Sequence, residues 1–499
     1  MSPVPWLELA VLLPLFGAVW VRRIQDPDAA RRQSLIVSGS ALLCTLAALA
    51  VFGRIWSFAG QGHWQAFAEL LSRSPLSVDA LNAPLLPLAA LLYLLTVLGT
   101  LRTKGRSFSF AGLLASEAIL LAALSCRQPW ILIGLLAAGT IPPWIELSTR
   151  GKPTRVYSAH MILFVVLLVA GQALNSLGGG SSRLSVAAST LLMAAVLVRG
   201  GIVPAHCWMT DLFEHASLGT ALLFVTPMVG AYAAVRLVLP VAPDWVLHGI
   251  AILSLVTALY AAAMALVQRE ARRFFCYLFL SHSSLVFVGL ETATPIGLTG
   301  ALCVWVSVGL SLAGFGLTLR SIEARAGRLS LDEFHGLYGH IPTLAGLFLL
   351  TGLASVGFPG TIGFVGAELL VEGAVRVSPL VGISIVVATA LNGLAVVHAY
   401  FRIFGGSRHV ASIDLRTRLP ERVAVLALSA LLLGGGLYPQ PGVAGRYNAA
   451  TQLINERHQQ LGERTISIRT SRKAVGAATT VLWTNKARLS SSSAQTAGR

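Results

Sequence analysis

Apolar runs of roughly 20 residues, the length a helix needs to cross a bilayer's hydrocarbon core, recur along the whole chain. They fall at about residues 4–21, 34–53, 82–101, 109–125, 130–147, 157–176, 185–203, 217–239, 245–267, 274–291, 295–319, 341–373, 379–404 and 421–438. Inside hydrocarbon every backbone N–H and C=O must be satisfied within its own segment, so the pattern implies an all-α polytopic membrane protein. About fourteen transmembrane helices are expected. The composition excludes the other classes: 12% of the 499 residues are charged, against about 25% in a soluble protein, and mean hydropathy is +0.73. The 48 Gly and 22 Pro follow no period, which excludes collagen.

The net charge of +16 would suggest nucleic acid in a soluble protein. Here the basic residues sit in the gaps between apolar runs, as cytoplasmic loops require, so lipid is the expected partner and nucleic acid is not. Arg22 to Arg32, Arg102 to Arg106, Arg150 to Arg155, Arg269 to Arg273 and Arg320 to Arg328 all fall on one side when the spans are counted. That places the N-terminus on the non-cytoplasmic side. Met1-Ser-Pro-Val-Pro-Trp lacks a basic n-region and reads as the start of a retained span. Residues 1–440 read as the transmembrane domain and 441–499 as a polar, basic, partly disordered tail. Cys44, Cys126, Cys207, Cys276 and Cys303 form no CxxC pair and read as small buried hydrophobes, so no metal or cofactor is expected.

Two runs are interrupted. Arg199-Gly200-Gly201-Ile202-Val203-Pro204 breaks one, and Gly357-Phe358-Pro359-Gly360-Thr361 divides a stretch too long for one crossing. They lie about 155 residues apart, which suggests an internal repeat with a discontinuous helix in each half.

The residues after the first break, Val203-Pro204-Ala205-His206-Cys207-Trp208-Met209-Thr210-Asp211 and then Glu214, resemble the PxHxWLPDAxE signature of the antiporter-like membrane subunits of respiratory complex I and of Mrp-type cation/proton antiporters. Ala265 to Arg273 with Tyr277, Ser281 and His282, Phe358 to Glu368, and Leu76 to Leu85 resemble further motifs of that family in its order. The resemblance implies two inverted five-helix repeats, each with one broken helix, and a proton path of buried Lys, Glu and His. This chain departs from that path. Its four lysines, Lys104, Lys152, Lys473 and Lys486, all lie outside the spans. Arg199 stands where the family's broken-helix lysine is expected, and arginine keeps its proton at any physiological pH. Leu135 to Pro142 contains no acid to pair with it, and Gly300 to Leu312 lacks the family's ionisable positions.

The remaining ion-path candidates are Glu117, Arg199, His206, Asp211, Glu270, His282, Glu368 and His398. Glu117 lies inside an apolar run, where an acid costs a few kcal/mol without a partner. It either pairs with Arg199 or lines water, or it sits near a headgroup. His282 reads as a relay or as a packing histidine, and His206 and Asp211 as conduction or capping groups. Glu368 and Glu372 read as an ion entry or a solvated helix end. The expected function is a membrane subunit of a proton- or cation-translocating complex with other membrane subunits as partners. The alternatives are the membrane subunit of an inorganic-carbon uptake complex and a non-conducting scaffold. No nucleophile–base constellation suggests an active site of its own. A tag placed at Thr103 or Lys152 should report a cytoplasmic location, and labelling of both from the opposite face would overturn the orientation.

Overall fold

Helices in this chain stop where Pro, Gly or a capping side chain interrupts the backbone ladder, and the stops place the polar groups. In the computed structural model, which describes residues 5–53, 75–100, 108–177, 182–291, 294–407 and 418–462, helix α1 (Trp6–Val21) leads into α2 (Pro27–Phe52). Asp26 caps α2 by accepting from the amides of Asp28 and Ala29 at 3.2 and 3.0 Å. Then come α3 (Leu85–Leu98), α4 (Phe110–Ser125), α5 (Pro129–Gly139), α6 (Ile141–Thr149), α7 (Arg155–Leu177), α8 (Ser182–Gly200), α9 (Cys207–His215), α10 (Leu218–Val225) and α11 (Val229–Ala233). They are followed by α12 (Asp244–Leu266), α13 (Ala271–Glu291), α14 (Pro295–Ala326), α15 (Pro342–Ser355), α16 (Ile362–Val377), α17 (Pro379–Phe404) and α18 (Leu419–Leu437). A last helix, α19, covers residues 440–462. The described residues hold no strand, only isolated bridges at Leu76/Cys126 and Glu270/Ser330.

Nine helices among the described residues are long and apolar enough to cross a membrane, and five shorter apolar helices accompany them. The protein is an integral membrane protein of the expected class. The expectation of fourteen crossings depends on the shorter helices crossing too. Burial sorts the spans: the windows in α13 and α14 are 94% buried, whereas those in α2 and α5–α6 are 28% buried. Two central helices are thus surrounded by helices that turn an apolar face outward, as lipid requires.

Two of the nine spans, Pro129–Thr149 and Leu218–Val238, are interrupted along their length. Pro142 and Pro143 have no amide hydrogen, so α5 gives way to α6 at Thr140, whose carbonyl accepts from the Tyr157 hydroxyl at 2.8 Å. Pro227 and Met228, the latter left-handed at φ 51°, separate α10 from α11, and Trp305 Nε1 donates to the Pro227 carbonyl at 3.2 Å.

Both expected breaks are present and end alike. In the first, Gly201 has φ +70°, its amide donates to Val198 and that of Ile202 donates to Leu197 at 3.0 Å. In the second, Gly357 has φ +83°, its amide donates to Ala354 and that of Phe358 donates to Leu353 at 3.1 Å. This is the Schellman arrangement, in which only glycine takes the left-handed position at no cost. Each broken helix therefore stops mid-bundle with its last carbonyls satisfied.

Helix α16, beyond the second break, packs directly on α14. A Cβ at Gly300 would lie 2.7 Å from the Leu369 carbonyl carbon, and one at Gly366 would lie 2.9 Å from the Val304 amide. Close backbone approach through small residues is how helices associate where no water drives them together. Gly300→Leu should lower the melting temperature of the detergent-solubilised protein by the equivalent of about 1–3 kcal/mol. Gly346→Leu, where nothing lies within 4 Å, should leave it nearly unchanged, and equal shifts would refute the packing account.

Candidate functional site

The polar interior is built from three groups at mid-bundle. Glu117 of α4 is fully buried and accepts a hydrogen bond from the Ser38 hydroxyl of α2 at 2.7 Å, while its other carboxylate oxygen has no partner among the described residues. The next residue back, Ser116, lines a cavity of about 610 Å³ on another face of α4. The cavity runs from Glu146, Thr149 and Arg150 at one end of the bundle to Arg199.

Arg199 lies in the last turn before the first break and is 5% exposed. Its Nη2 donates to the Phe224 carbonyl at 3.0 Å, and its guanidinium lies 4.0 Å from the centre of the Phe224 ring and 5.4 Å from that of Trp208. Aromatic faces thus stabilise the cation. The pairing of Arg199 with Glu117 weighed from sequence is not formed. A single residue step, about 100° around the helix, sends Glu117 toward α2 and Ser116 toward the cavity, so the acid and the cation sit on different sides of α4.

The third group is a run of four buried polar residues in α13. Ser281 donates to the Ala258 carbonyl of α12 at 2.9 Å and accepts from Asn392 of α17 at 2.8 Å. His282 Nε2 lies 3.4 Å from the Ser355 hydroxyl, in the last turn before the second break. Ser283 and Ser284 bond back to the Leu280 carbonyl. A second, water-sized cavity of about 20 Å³ touches Arg199, Gly200 and Ser283. The three groups are thus two polar islands with Arg199 beside one of them.

The other candidates lie elsewhere. His206 packs edge-on against Tyr260, with ring centres 5.6 Å apart, and its Nδ1 is buried without a protein partner. Asp211 pairs with His215 at 3.1 Å, one turn away. Glu270 is exposed, 3.8 Å from Arg328. Glu368 and His398 are exposed on the outer faces of α16 and α17 and are not brought to the interior; Glu372 is exposed too, paired with Arg376 at 2.6 Å. Helical periodicity separates them from the buried positions, and the sequence motifs could not.

Residues 158–392 match the family model described as NADH:quinone oxidoreductase/Mrp antiporter, TM. The chain is antiporter-like. It is 28% identical to an NAD(P)H-quinone oxidoreductase chain 4 of Synechococcus sp. (strain JA-3-3Ab), over 87% of this chain and 90% of that one. It is 29% identical to NADH-quinone oxidoreductase subunit M of Pseudomonas aeruginosa, over 60% of this chain and 64% of that one. Its fold matches a chain of respiratory complex I from Thermus thermophilus with a TM-score of 0.77 at 22% identity, covering 90% of this chain and 99% of that one. A chain of the Mrp complex from Dietzia sp. DQ12-45-1b matches with a TM-score of 0.76 at 17% identity, covering 93% and 99%.

The antiporter-like bundle is tied at both ends by arginines. At one end Asp79 accepts from Arg236 at 2.5 Å, and Arg446 of α19 donates to the carbonyls of Ala80 and Leu81. Arg457 donates to Leu239, Ala242 and Asp244. The sequence reading placed Arg446 and Arg457 in the polar tail. The signal that marks them as structural is their spacing with Ala449, Ala450, Leu453 and Ile454, all buried on one helical face. Residues 463–499 of that tail lie outside the described residues.

At the other end Arg325 of α14 forms a two-pronged pair with Glu421, which is 2% exposed. Glu214 accepts from Arg328 at 2.7 Å and from Arg273 at 3.2 Å. Partial burial alone would raise the Glu214 carboxyl, but the bonds from Arg328 and Arg273 outweigh it and hold it below the usual carboxylate range. A depressed carboxyl stabilises the fold above its unfolded value and loses that contribution as pH falls through the folded one. The stability gap between the native chain and Glu214→Gln should therefore be steady from neutral pH to about pH 5 and close on further acidification. Thermal melts across that range test it, and a gap that widens in acid would contradict it.

Proposed function

We propose that this chain is the antiporter-like membrane subunit of a proton- or cation-translocating complex of the quinone-oxidoreductase type, working beside other membrane subunits. The observation that carries the reading is the similarity to quinone-oxidoreductase chains along most of both lengths. It favours that assembly over an inorganic-carbon uptake complex. The orientation rests on charge: the end bearing Arg150, Arg273 and Arg328 faces the cytoplasm of a bacterial plasma membrane, and the N-terminus faces away. The translocating domain runs to residue 462, since α19 is bonded into the bundle.

The path in this reading starts at the cavity mouth beside Glu146 and Arg150 and passes Arg199. It crosses the water-sized gap to Ser283, and reaches His282 and Ser355. A gap of that size holds one water. Arg199 keeps its proton and acts by orienting water, while His282 is the titrating station. Glu117 serves a separate site against Ser38. A non-conducting scaffold is the second reading, favoured by the missing intramembrane lysines and by the separation of Glu117 from Arg199. In the purified complex reconstituted into liposomes, His282→Gln should lower proton flux by about 10²-fold, the usual worth of a positioned proton carrier, with assembly intact. Unchanged flux in both His282→Gln and Glu117→Gln, in assembled complex, would leave the scaffold reading standing.

A further inference from the structure

We infer that the cavity ending at Arg199 binds an amphiphile with an oxyanion head, drawn from the membrane, with its head on the guanidinium and its acyl chain along α4 and α5.

The head follows from the state of Arg199. A guanidinium carries five N–H donors, and among the described residues only the Phe224 carbonyl accepts from it. Among the described residues no carboxylate pairs with it, although it is 95% buried and lines the cavity. The acid that shares the cavity is already engaged: Glu146 pairs with Arg150 at 3.2 Å and accepts from the Ser217 amide at 2.8 Å and from the Thr220 hydroxyl. The ring faces and one carbonyl offset only part of the cost of burying this cation without a counter-charge, and an oxyanion held by two parallel N–H···O bonds recovers more.

The tail follows from the walls. Leu113, Ile119, Leu135, Leu136 and Leu223 face the cavity. A small hydrated anion would have to shed water into these surfaces, whereas an acyl chain removes them from contact with water. The volume of about 610 Å³ suits one such chain. Access is lateral: Ile145 lines the cavity and is 48% exposed on the outer surface, beside Trp144 at 45%. The interruption at Thr140, between α5 and α6, leaves this wall without a continuous helix.

The bound amphiphile would exclude water from the cavity mouth of the proposed path, so occupancy and conduction are alternative states of one cavity. The test does not use proton flux, so its failure is separate from failure of the translocation reading. The full-length protein, purified in detergent, is exposed to oleate, phosphatidylglycerol, uncharged monoolein or bicarbonate, and bound species are read by native mass spectrometry with titration. Oleate or phosphatidylglycerol should bind at one per chain, the first pointing to a free acid and the second to a lipid phosphate. Arg199→Gln should weaken that binding by about tenfold or more, as loss of charged hydrogen bonds implies. Gly139→Phe fills the cavity from α5, where a Cβ meets only Ile119 at 3.7 Å. It should displace the same ligand while Arg199 remains, which keeps the test open if Arg199→Gln fails to fold. Equal binding of monoolein, equal retention in folded Arg199→Gln and Gly139→Phe, or binding of bicarbonate that the amphiphiles do not displace would each overturn the proposal.

Discussion

Four polar residues in a row, Ser281 to Ser284, sit in the middle of a helix that is buried on nearly every side. Packed protein and lipid offer them little water, so each finds a partner in the chain. Ser283 and Ser284 turn inward to their own helix. Ser281 and His282 reach α12, α15 and α17 instead. Those bonds fix the depth of α13 against three neighbours, because a shift of one residue would strand both side chains. Hydrophobic packing alone would tolerate such a slip in a membrane bundle, where one apolar surface resembles another. The ends are locked separately, by Arg236 with Asp79 at one and by Arg325 with Glu421 at the other. An arginine-carboxylate pair of this kind adds little net stability but is costly to break, since the survivor is left charged and buried.

The two helix breaks depend on the same economy. A span can stop at mid-membrane only if its last carbonyls are satisfied and the exposed turn faces protein or a hydrated space. Gly201 and Gly357 meet the first condition with the same hydrogen bonds. The second is met differently. At the first break Arg199 lies among the rings of Phe224 and Trp208 with a cavity before it. At the second, Ser355 faces His282, and Gly363, in the first turn beyond the break, lies against Ser307. One half therefore presents a fixed charge and the other a group that can gain or lose a proton.

How much of this was legible in the sequence follows from what each signal measures. The apolar runs gave the helical class and the span positions, since twenty residues of low charge admit little else. Glycine and proline gave both breaks, because left-handed turns and missing amides are local properties. Local signals also explain the breaks inside two spans that were placed correctly: Pro142-Pro143 and Pro227 interrupt helices whose runs remain long and apolar enough to cross. The partners of the buried charges were not legible. Glu117 and Ser116 are adjacent in sequence and face different neighbours, and only the rotation of α4 against α2 decides which meets Arg199. The exposure of Glu368 and His398 depends likewise on which face of α16 and α17 is covered. Arg446 and Arg457 were hidden by composition, since a polar average over the tail masked one buried stripe.

The geometry around α13 also points to one tautomer of neutral His282. The Ser355 hydroxyl donates its hydrogen to the Gly352 carbonyl at 2.6 Å, so toward His282 its oxygen can only accept. Nε2 must therefore carry the imidazole hydrogen, an assignment made from the hydrogen-bond pattern. That leaves Nδ1 as the position at which neutral His282 gains a proton. Adjacent in sequence, Ser283 faces the gap behind Arg199, so α13 carries the approach from the first break and the contact to the second on successive residues. The two broken helices are thereby approached from neighbouring positions of one helix.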